Sequence, residues 1–298
     1  MIFQVMKNDV FNELKSINGI EVKENITITN TMNIKAVFRL YVNVMDLNSL
    51  SDVMKLIKKN KIKYYILGNA SNVLFKKDYY DGVVIKVNPN FNNNDKLSAN
   101  LLLSQINNEY MKQGISSLLF LSMVPGSLGG AICMNAGAFS REIKEIIEFV
   151  YFYDIKKDKF RVFSNKECKF KYRDSYFKHH ETIILGAKVK LEYADINDLH
   201  MKHNKIMKTR KEKLPYKKPS LGSIFKNFKD LSAGFLIDKV GLKGTSINDA
   251  KVSEKHANII VNEGSATGKD VIDLINIIKK NVWDKYKRNL ELEIIIFE

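Results

Sequence analysis

The run Val124-Pro125-Gly126-Ser127-Leu128-Gly129-Gly130-Ala131-Ile132-Cys133-Met134-Asn135-Ala136-Gly137-Ala138 is where residue type and spacing point most directly to chemistry. It holds four of the chain's 15 glycines. Glycine serves where backbone must take φ > 0 or lie close to a ligand. Free N–H groups in such turns make a concavity for anions. The segment suits a pyrophosphate, or a planar cofactor ring lying on bare main chain. A tight turn under a helix is the plainer alternative, and the density of small residues favours cofactor contact.

Three shorter clusters also carry candidate chemistry. Gly68-Asn69-Ala70-Ser71-Asn72 follows the apolar Leu67 and reads as a strand entering a small polar turn. Its backbone N–H groups, with Ser71 and Asn72, suit a second phosphate, and an Asx-type turn is the alternative. In Tyr172-Arg173-Asp174-Ser175-Tyr176-Phe177-Lys178 an arginine lies among aromatics. Partial desolvation strengthens pairing of its guanidinium with a carboxylate, either a ligand's or a local one such as Asp174. In Pro219-Ser220-Leu221-Gly222-Ser223-Ile224-Phe225-Lys226-Asn227 the Ser223 hydroxyl follows a glycine. No Gly-x-Ser-x-Gly elbow is present, so a hydrolase triad is not indicated. Proton donation and helix capping remain as two uses for Ser223. His256 reads as structural.

These clusters need elements to hold them. Residues Asp9 to Asn18 read as a short helix, and Asn33 to Val44 alternates at period 2 as a strand. Ser49 to Asn60 has helical apolar spacing. Tyr64 to Leu67, Val73 to Phe75 and Val83 to Val87 read as strands, with a turn at Asp81-Gly82. Pro89 to Asp95 is a polar loop and Leu101 to Gly114 a helix leading to the glycine-rich run. Strands follow at Ile146 to Tyr153, Lys159 to Phe163 and Ile183 to Leu191, then a helix from Asp195 to Arg210. Beyond a Gly-Ser loop come helices Ala233 to Val240 and Gly268 to Trp283, and strands Asn258 to Val261 and Leu290 to Phe297. The pattern is α+β. It divides at 1–88, 89–194 and 195–298.

At 298 residues, with 45% hydrophobic and 27% charged side chains, the chain suits two or three packed modules. Met1 to Lys15 shows no signal peptide, and no apolar run reaches membrane-span length, so a cytoplasmic protein is expected. Cys133 and Cys168 have no metal-ligand spacing and read as reduced thiols; no metal site is indicated. The net charge of +15 raises nucleic acid as a partner. The lysines, however, run from end to end, a distribution that equally suits anionic small substrates such as nucleotide diphosphates.

Taken together, the clusters resemble the UDP-N-acetylenolpyruvoylglucosamine reductase family. Gly68 to Asn72 is similar to its phosphate turn, and Pro125 to Ala138 to its Pro-Gly-(Ser/Thr)-x-Gly-Gly-Ala…Met-Asn-Ala-Gly-Ala run. Tyr172 to Phe177 and Gly222 to Asn227 match two further motifs. Ala233 to Ile237, Gly241 to Gly244, Val252 to Asn258 and Leu290-x-x-Glu293 follow in family order. The resemblance spans residues 60 to 298.

The resemblance implies a two-part FAD-binding region of the vanillyl-alcohol-oxidase/PCMH type (1–88 and 89–194), followed by a smaller α/β substrate-binding domain (195–298). It implies bound FAD, NADPH as co-substrate, and reduction of the enolpyruvyl sugar nucleotide to UDP-N-acetylmuramate for peptidoglycan. Residues carried over as FAD contacts are Gly68, Asn69, Ala70, Ser71, Asn72, Pro125, Gly126, Ser127, Gly129, Gly130, Asn135, Ala136 and Gly137. Ser223 is implied as the proton donor, with Arg173 and Glu293 stabilising and polarising the intermediate; Glu291 is the competing carboxylate. Lys213, Asn227 and Tyr172 are implied to hold substrate. The short span from Leu185 to Ser223 indicates the subtype lacking an extra tyrosine-bearing loop. A monomer without nucleic-acid or membrane partners is expected.

The chain departs from the family pattern at Lys35-Ala36, Ala70, Ser117, Leu119, Ser140, Phe228 and Asn248-Asp249, several of which replace glycines. Where such a glycine has φ > 0, its replacement costs about 1 kcal/mol or more. Two rival readings are a homologue that keeps the fold without flavin or activity, and a basic nucleic-acid-binding protein. The second predicts steep salt dependence of binding.

Overall fold

A computed structural model describes residues 10–91 and 93–298, and these divide into two compact units, each drawn from separated pieces of chain. The first comprises the described residues up to Ile26, then Val37–Asn69 and Tyr79–His203. It opens with a helix, α1, over residues 10–15. Its first sheet has the order β1-β2-β5-β3, from β1 (Ile20–Thr29), β2 (Lys35–Val44), β5 (Tyr79–Val87) and β3 (Tyr64–Ile66). The β2–β5 and β3–β5 pairs are parallel. Between β2 and β3 runs α2 (Leu50–Lys59), which buries Leu50, Val53, Met54 and Ile57. That spacing is one helical face, so the stripe packs on Leu40, Val42, Val83 and Ile85 of the sheet.

The second sheet of this unit is antiparallel, ordered β10-β9-β11-β6 from β10 (Lys159–Ser164), β9 (Ile147–Asp154), β11 (Thr182–Val189) and β6 (Lys96–Ser98). Helices α3 (Leu103–Lys112) and α4 (Leu128–Cys133) pack into its core through Leu103, Ile106, Leu128 and Ile132. A two-rung hairpin, β7 (Gly137–Ala138) with β8 (Arg141–Glu142), follows α4. Cys133 and Cys168 are free thiols, and burial pushes that of Cys168 up to about 12.

The second unit comprises Thr27–Ala36, Ala70–Asp78 and Asn204–Glu298. Its sheet has the order β12-β15-β14-β13, all antiparallel, from β12 (Ser220–Ser223), β15 (Ile259–Asn262), β14 (Ala250–Val252) and β13 (Ser246–Ile247). A parallel pair joins β4 (Val73–Phe75) to β16 (Ile295–Phe297). Helix α5 (Ile196–Lys213) leads in, and α6 (Ala233–Lys239) and α7 (Gly268–Tyr286) complete the unit. Its separate pieces are stitched by polar side chains. Asn30 Nδ2 donates to the Val73 carbonyl (2.9 Å), Asn262 Nδ2 to that of Met32 (2.8 Å), and Thr31 Oγ1 to that of Ser220 (2.8 Å).

Four expectations are corrected. Asp81-Gly82 is no turn but the interior of β5, where a Cβ on Gly82 would lie 2.6 Å from the Lys63 carbonyl oxygen. The expected loop around Ser223 is strand β12 as far as Ser223. The glycine-rich run contains helix α4 rather than loop throughout. The last strand spans only Ile295–Phe297, because Leu290 to Ile294 leaves the ladder to bridge elsewhere. Strand β1 was not foreseen: Glu24 interrupts the period-2 run of Ile20, Val22, Ile26 and Ile28, and Asn25 takes φ +50.

Helix α7 gives a test of stability. Its N-cap Thr267 forms a capping box with Asp270, which is only 7% exposed. Asp270 accepts from Thr267 N (2.8 Å), Thr267 Oγ1 (2.7 Å) and Asn248 Nδ2 (2.8 Å). Burial by itself would raise its pKa; the hydrogen bonds outweigh this and hold it below the usual carboxylate range. Its stabilisation is therefore complete above the unfolded pKa of about 4 and fades as pH falls below it. Asp270→Asn should cost about 1–2 kcal/mol at pH 7 and progressively less toward pH 3, read by denaturant unfolding. An equal loss at both pH values would contradict this account.

Candidate functional site

In the first unit the glycine-rich run and the Gly68 turn lie against each other. Ser127 caps α4 by accepting from Gly130 N (3.4 Å). The Leu128 and Gly129 N–H groups are taken by the Leu101 and Ala99 carbonyls (2.9 and 2.8 Å), so they hold the helix to its neighbours rather than face a ligand. A Cβ on Gly68 would lie 2.6 Å from Ser127 Oγ. Glycine is thus required there by close approach. Gly68 and Asn69 are exposed, Ser71 is half-buried, and among the described residues no acceptor takes the N–H groups of Gly68 through Ser71. The exposed, unpaired main-chain donors of Gly68 and Asn69, beside a spot with no room for a side chain, fit the pyrophosphate of a dinucleotide.

Ala70 is buried and left-handed, at φ +49; Ser140 and Asn248 are also left-handed, at φ +62 and +46. Three replaced family positions therefore carry backbone strain, and the other replaced positions do not.

The Tyr-Arg motif meets the same run. Lys171 and Asp174 exchange backbone hydrogen bonds (3.0 and 3.1 Å), leaving Tyr172 and Arg173 at the tip of a two-residue turn. Arg173 has φ +52, its guanidinium lies 5.0 Å from the Tyr172 ring, and Nη2 donates to the Gly137 carbonyl (3.0 Å). Asp174 bonds His179 Nε2 (2.6 Å). Asn135 is fully buried; Nδ2 donates to the Lys171 carbonyl (2.8 Å) and Oδ1 accepts from Lys144 N (3.2 Å). Its side chain is thus fully committed to the chain's own backbone. Pro125 is exposed and Ala136 half-buried on the same run.

In the second unit Ser223 and Glu293 are brought together. Gly222 has φ +74, and the β12–β15 register slips between Ser220 and Ser223, a bulge that re-aims the strand end. Immediately after it, Ile224 N donates to Asn258 O (2.9 Å), and Glu293 N donates to Ile224 O (2.8 Å). The Glu293 carbonyl accepts from Asn72 Nδ2 (3.0 Å). A main-chain bond to Ile224 and the Asn72 side-chain amide thus fix the Glu293 backbone one residue from Ser223 across the pair. Glu293 is half-buried, whereas the Glu291 side chain is 75% exposed and faces Lys226 Nζ (3.3 Å). Lys213 is exposed at the end of α5, and Asn227 is exposed with Oδ1 accepting from Ala233 N (3.0 Å).

Asn258 was missed. Only 3% exposed, it accepts from Phe225 N (2.9 Å) and donates to Phe225 O (2.7 Å), locking the segment after Ser223. Its signal was a polar residue opening an otherwise apolar strand. His256 is half-buried and burial lowers its pKa, keeping the imidazole neutral.

The first unit has the fold of a flavoprotein-type nucleotide-binding region: an FAD binding domain family matches residues 38–155. Residues 214–297 match the C-terminal domain of UDP-N-acetylenolpyruvoylglucosamine reductase. The reductase of that name from Clostridium novyi is 35% identical, over 98% of this chain and 97% of its own. That of Clostridioides difficile is 36% identical over 92% and 94%. The crystal structure of UDP-N-acetylenolpyruvylglucosamine reductase from Thermus caldophilus superposes with a TM-score of 0.80 at 28% identity, covering 94% of this chain and 100% of that one. The chain belongs to the UDP-N-acetylenolpyruvoylglucosamine reductase family. The likeness extends over the N-terminal segment that the motifs alone left out.

Proposed function

We propose that this protein reduces UDP-N-acetylenolpyruvoylglucosamine to UDP-N-acetylmuramate, a step in making peptidoglycan precursors. The observation that carries this reading is the Ser223–Glu293 edge, fixed by main-chain bonds, in a chain matched along its length by reductases of that name. FAD, when bound, would supply hydride chemistry, with NADPH as the reductant. The chain's own residues do the rest. The Arg173 guanidinium stabilises negative charge developing at the substrate carboxylate. The Ser223 hydroxyl gives its proton to the adjacent carbon and recovers one from solvent, and Glu293 polarises the intermediate. A serine is a poor acid in water, but it serves a strongly basic carbon when held in contact. Lys213, Asn227 and Tyr172 hold the nucleotide sugar. The N–H groups of Gly68 through Ser71 would hold the FAD pyrophosphate, and the glycine-rich run, with Pro125, Gly126, Ser127, Gly129, Gly130, Ala136 and Gly137, would contact the rest of the cofactor.

The FAD-binding region is 1–88 and 89–194 and the substrate-binding domain 195–298, with Tyr172 and Arg173 as substrate contacts contributed by the former. Between Leu185 and Ser223 the chain is occupied by the end of β11, α5 and β12, in keeping with the subtype lacking the extra tyrosine loop. The enzyme acts as a cytoplasmic monomer without nucleic-acid partners. No helix among the described residues is long and apolar enough to cross a membrane. Lysines at 188, 218, 226, 251 and 280 are paired with acids rather than gathered in one bare patch.

The test is the visible spectrum of the purified protein. A flavin spectrum that bleaches with NADPH and recovers anaerobically with the enolpyruvyl substrate supports the reading. A colourless protein that cannot be reconstituted with FAD sinks it. The strain at Ala70 gives a finer expectation. Ala70→Gly should relieve about 1–2 kcal/mol of left-handed strain, less about 0.5–1 kcal/mol of added chain entropy. Unfolding stability should then rise by up to about 1.5 kcal/mol in denaturant, and an unchanged or lower stability would show that the strain is without consequence.

A further inference from the structure

Three side-chain hydrogen bonds run between the segments Cys133–Gly137 and Lys171–Ser175. Asn135 Nδ2 donates to the Lys171 carbonyl (2.8 Å), Arg173 Nη2 to that of Gly137 (3.0 Å), and Ser175 Oγ to that of Cys133 (2.7 Å). The outer two donors are buried, Asn135 at 0% and Ser175 at 1% exposure, while Arg173 is only half-buried. The Lys171 carbonyl accepts twice, from Asp174 N and from Asn135 Nδ2, so the base of the turn is clamped from outside as well as closed from within. Both Asn135 (φ +44) and Arg173 (φ +52) hold left-handed backbone, a conformation that persists only where its surroundings enforce it.

A half-exposed arginine on a two-residue tip loses much side-chain freedom when it is held in one place. Buried bonds on either side of that tip limit how far its base can move, because breaking either strands a buried donor or acceptor. We infer that Asn135 and Ser175 are positioning residues, setting where the Arg173 guanidinium lies and so how well it meets the substrate carboxylate. This rests on the role proposed above for Arg173. It also gives Asn135 a task other than flavin contact, since both ends of its amide are already bonded to backbone.

The experiment combines kinetics of the flavin-loaded enzyme with side-chain NMR of the full chain. Ser175→Ala and Asn135→Asp are each made alone and together with Arg173→Lys. Ser175→Ala should slow reoxidation by the enolpyruvyl substrate about tenfold with Arg173 present, but less than about twofold in the Arg173→Lys background, because residues acting as a unit are not additive. Equal factors in both backgrounds would mean a general packing role and overturn the inference. In parallel, the Arg173 Nε–Hε resonance, assigned by its loss in Arg173→Lys, should be sharp in the parent. It should broaden or shift in Ser175→Ala and Asn135→Asp. An unchanged resonance in both variants also overturns it. If the parent enzyme is not reoxidised by that substrate, the proposed function fails, and the resonance alone still decides the positioning role.

Discussion

Ser223→Ala is expected to leave consumption of NADPH by the flavin-loaded protein near the parent rate while slowing reoxidation by the enolpyruvyl substrate about 10²–10⁴-fold, the range for loss of a positioned proton donor. The asymmetry follows from assigning the hydroxyl only to protonation of the carbon next to the one receiving hydride. The fold supports a clean test. Ser223 is half-buried at the end of β12, and its neighbours are held by the Ile224–Asn258, Phe225–Asn258 and Glu293–Ile224 bonds, none of which uses its hydroxyl. Removing the hydroxyl therefore leaves the strand end in place. Anaerobic stopped flow separates the two half-reactions. Equal slowing of both would show that Ser223 supports flavin or overall structure and is not the acid.

The second large effect is expected for Arg173→Lys. Lysine keeps the charge but offers a compact ammonium in place of a planar fork, and it cannot donate to the Gly137 carbonyl and a carboxylate with one rigid group. Losing a preorganised donor at a site of developing charge costs about 10²–10³ in turnover. Turnover of the enolpyruvyl substrate should fall by about 10²-fold for lysine, while unfolding stability changes by no more than about 1 kcal/mol, the worth of one hydrogen bond. Normal turnover in this variant would make Arg173 a structural residue of the turn. The stability measurement guards against the opposite error, a loss caused by collapse of the Lys171–Asp174 turn.

The two predictions draw on different kinds of information. That Ser223, Arg173 and Glu293 deserve attention was legible in residue type and motif order. Glu293 was preferred to Glu291 by motif position alone. On an extended segment the two carboxylates are equivalent by period; in the fold the Glu293 backbone bonds Ile224, next to Ser223, while the Glu291 backbone bonds Lys226 and its side chain turns outward. The glycine-rich run divides in the same way. Its small residues announce a close approach, yet two of its N–H groups are claimed by Ala99 and Leu101, whereas among the described residues no acceptor takes those of Gly68 through Ser71.

Local pattern determined most of the elements, because a stripe such as Leu50, Val53, Met54 and Ile57 is dictated by helical period whatever lies opposite. It also determined which residue types could cradle phosphate, donate a proton or pair a carboxylate, since those are properties of side chains. Tertiary structure alone decided that Thr27–Ala36 and Ala70–Asp78 join the C-terminal hundred residues in one compact unit. The bonds responsible run between residues as far apart as Met32 and Asn262. It alone decided that Gly82 lies inside a strand, since the reason is a neighbouring carbonyl rather than a turn. The strain at Ala70, Ser140 and Asn248 is of the same kind. Sequence names the residue, but backbone dihedrals there are set by the bonds and packing of distant segments, which no local pattern contains.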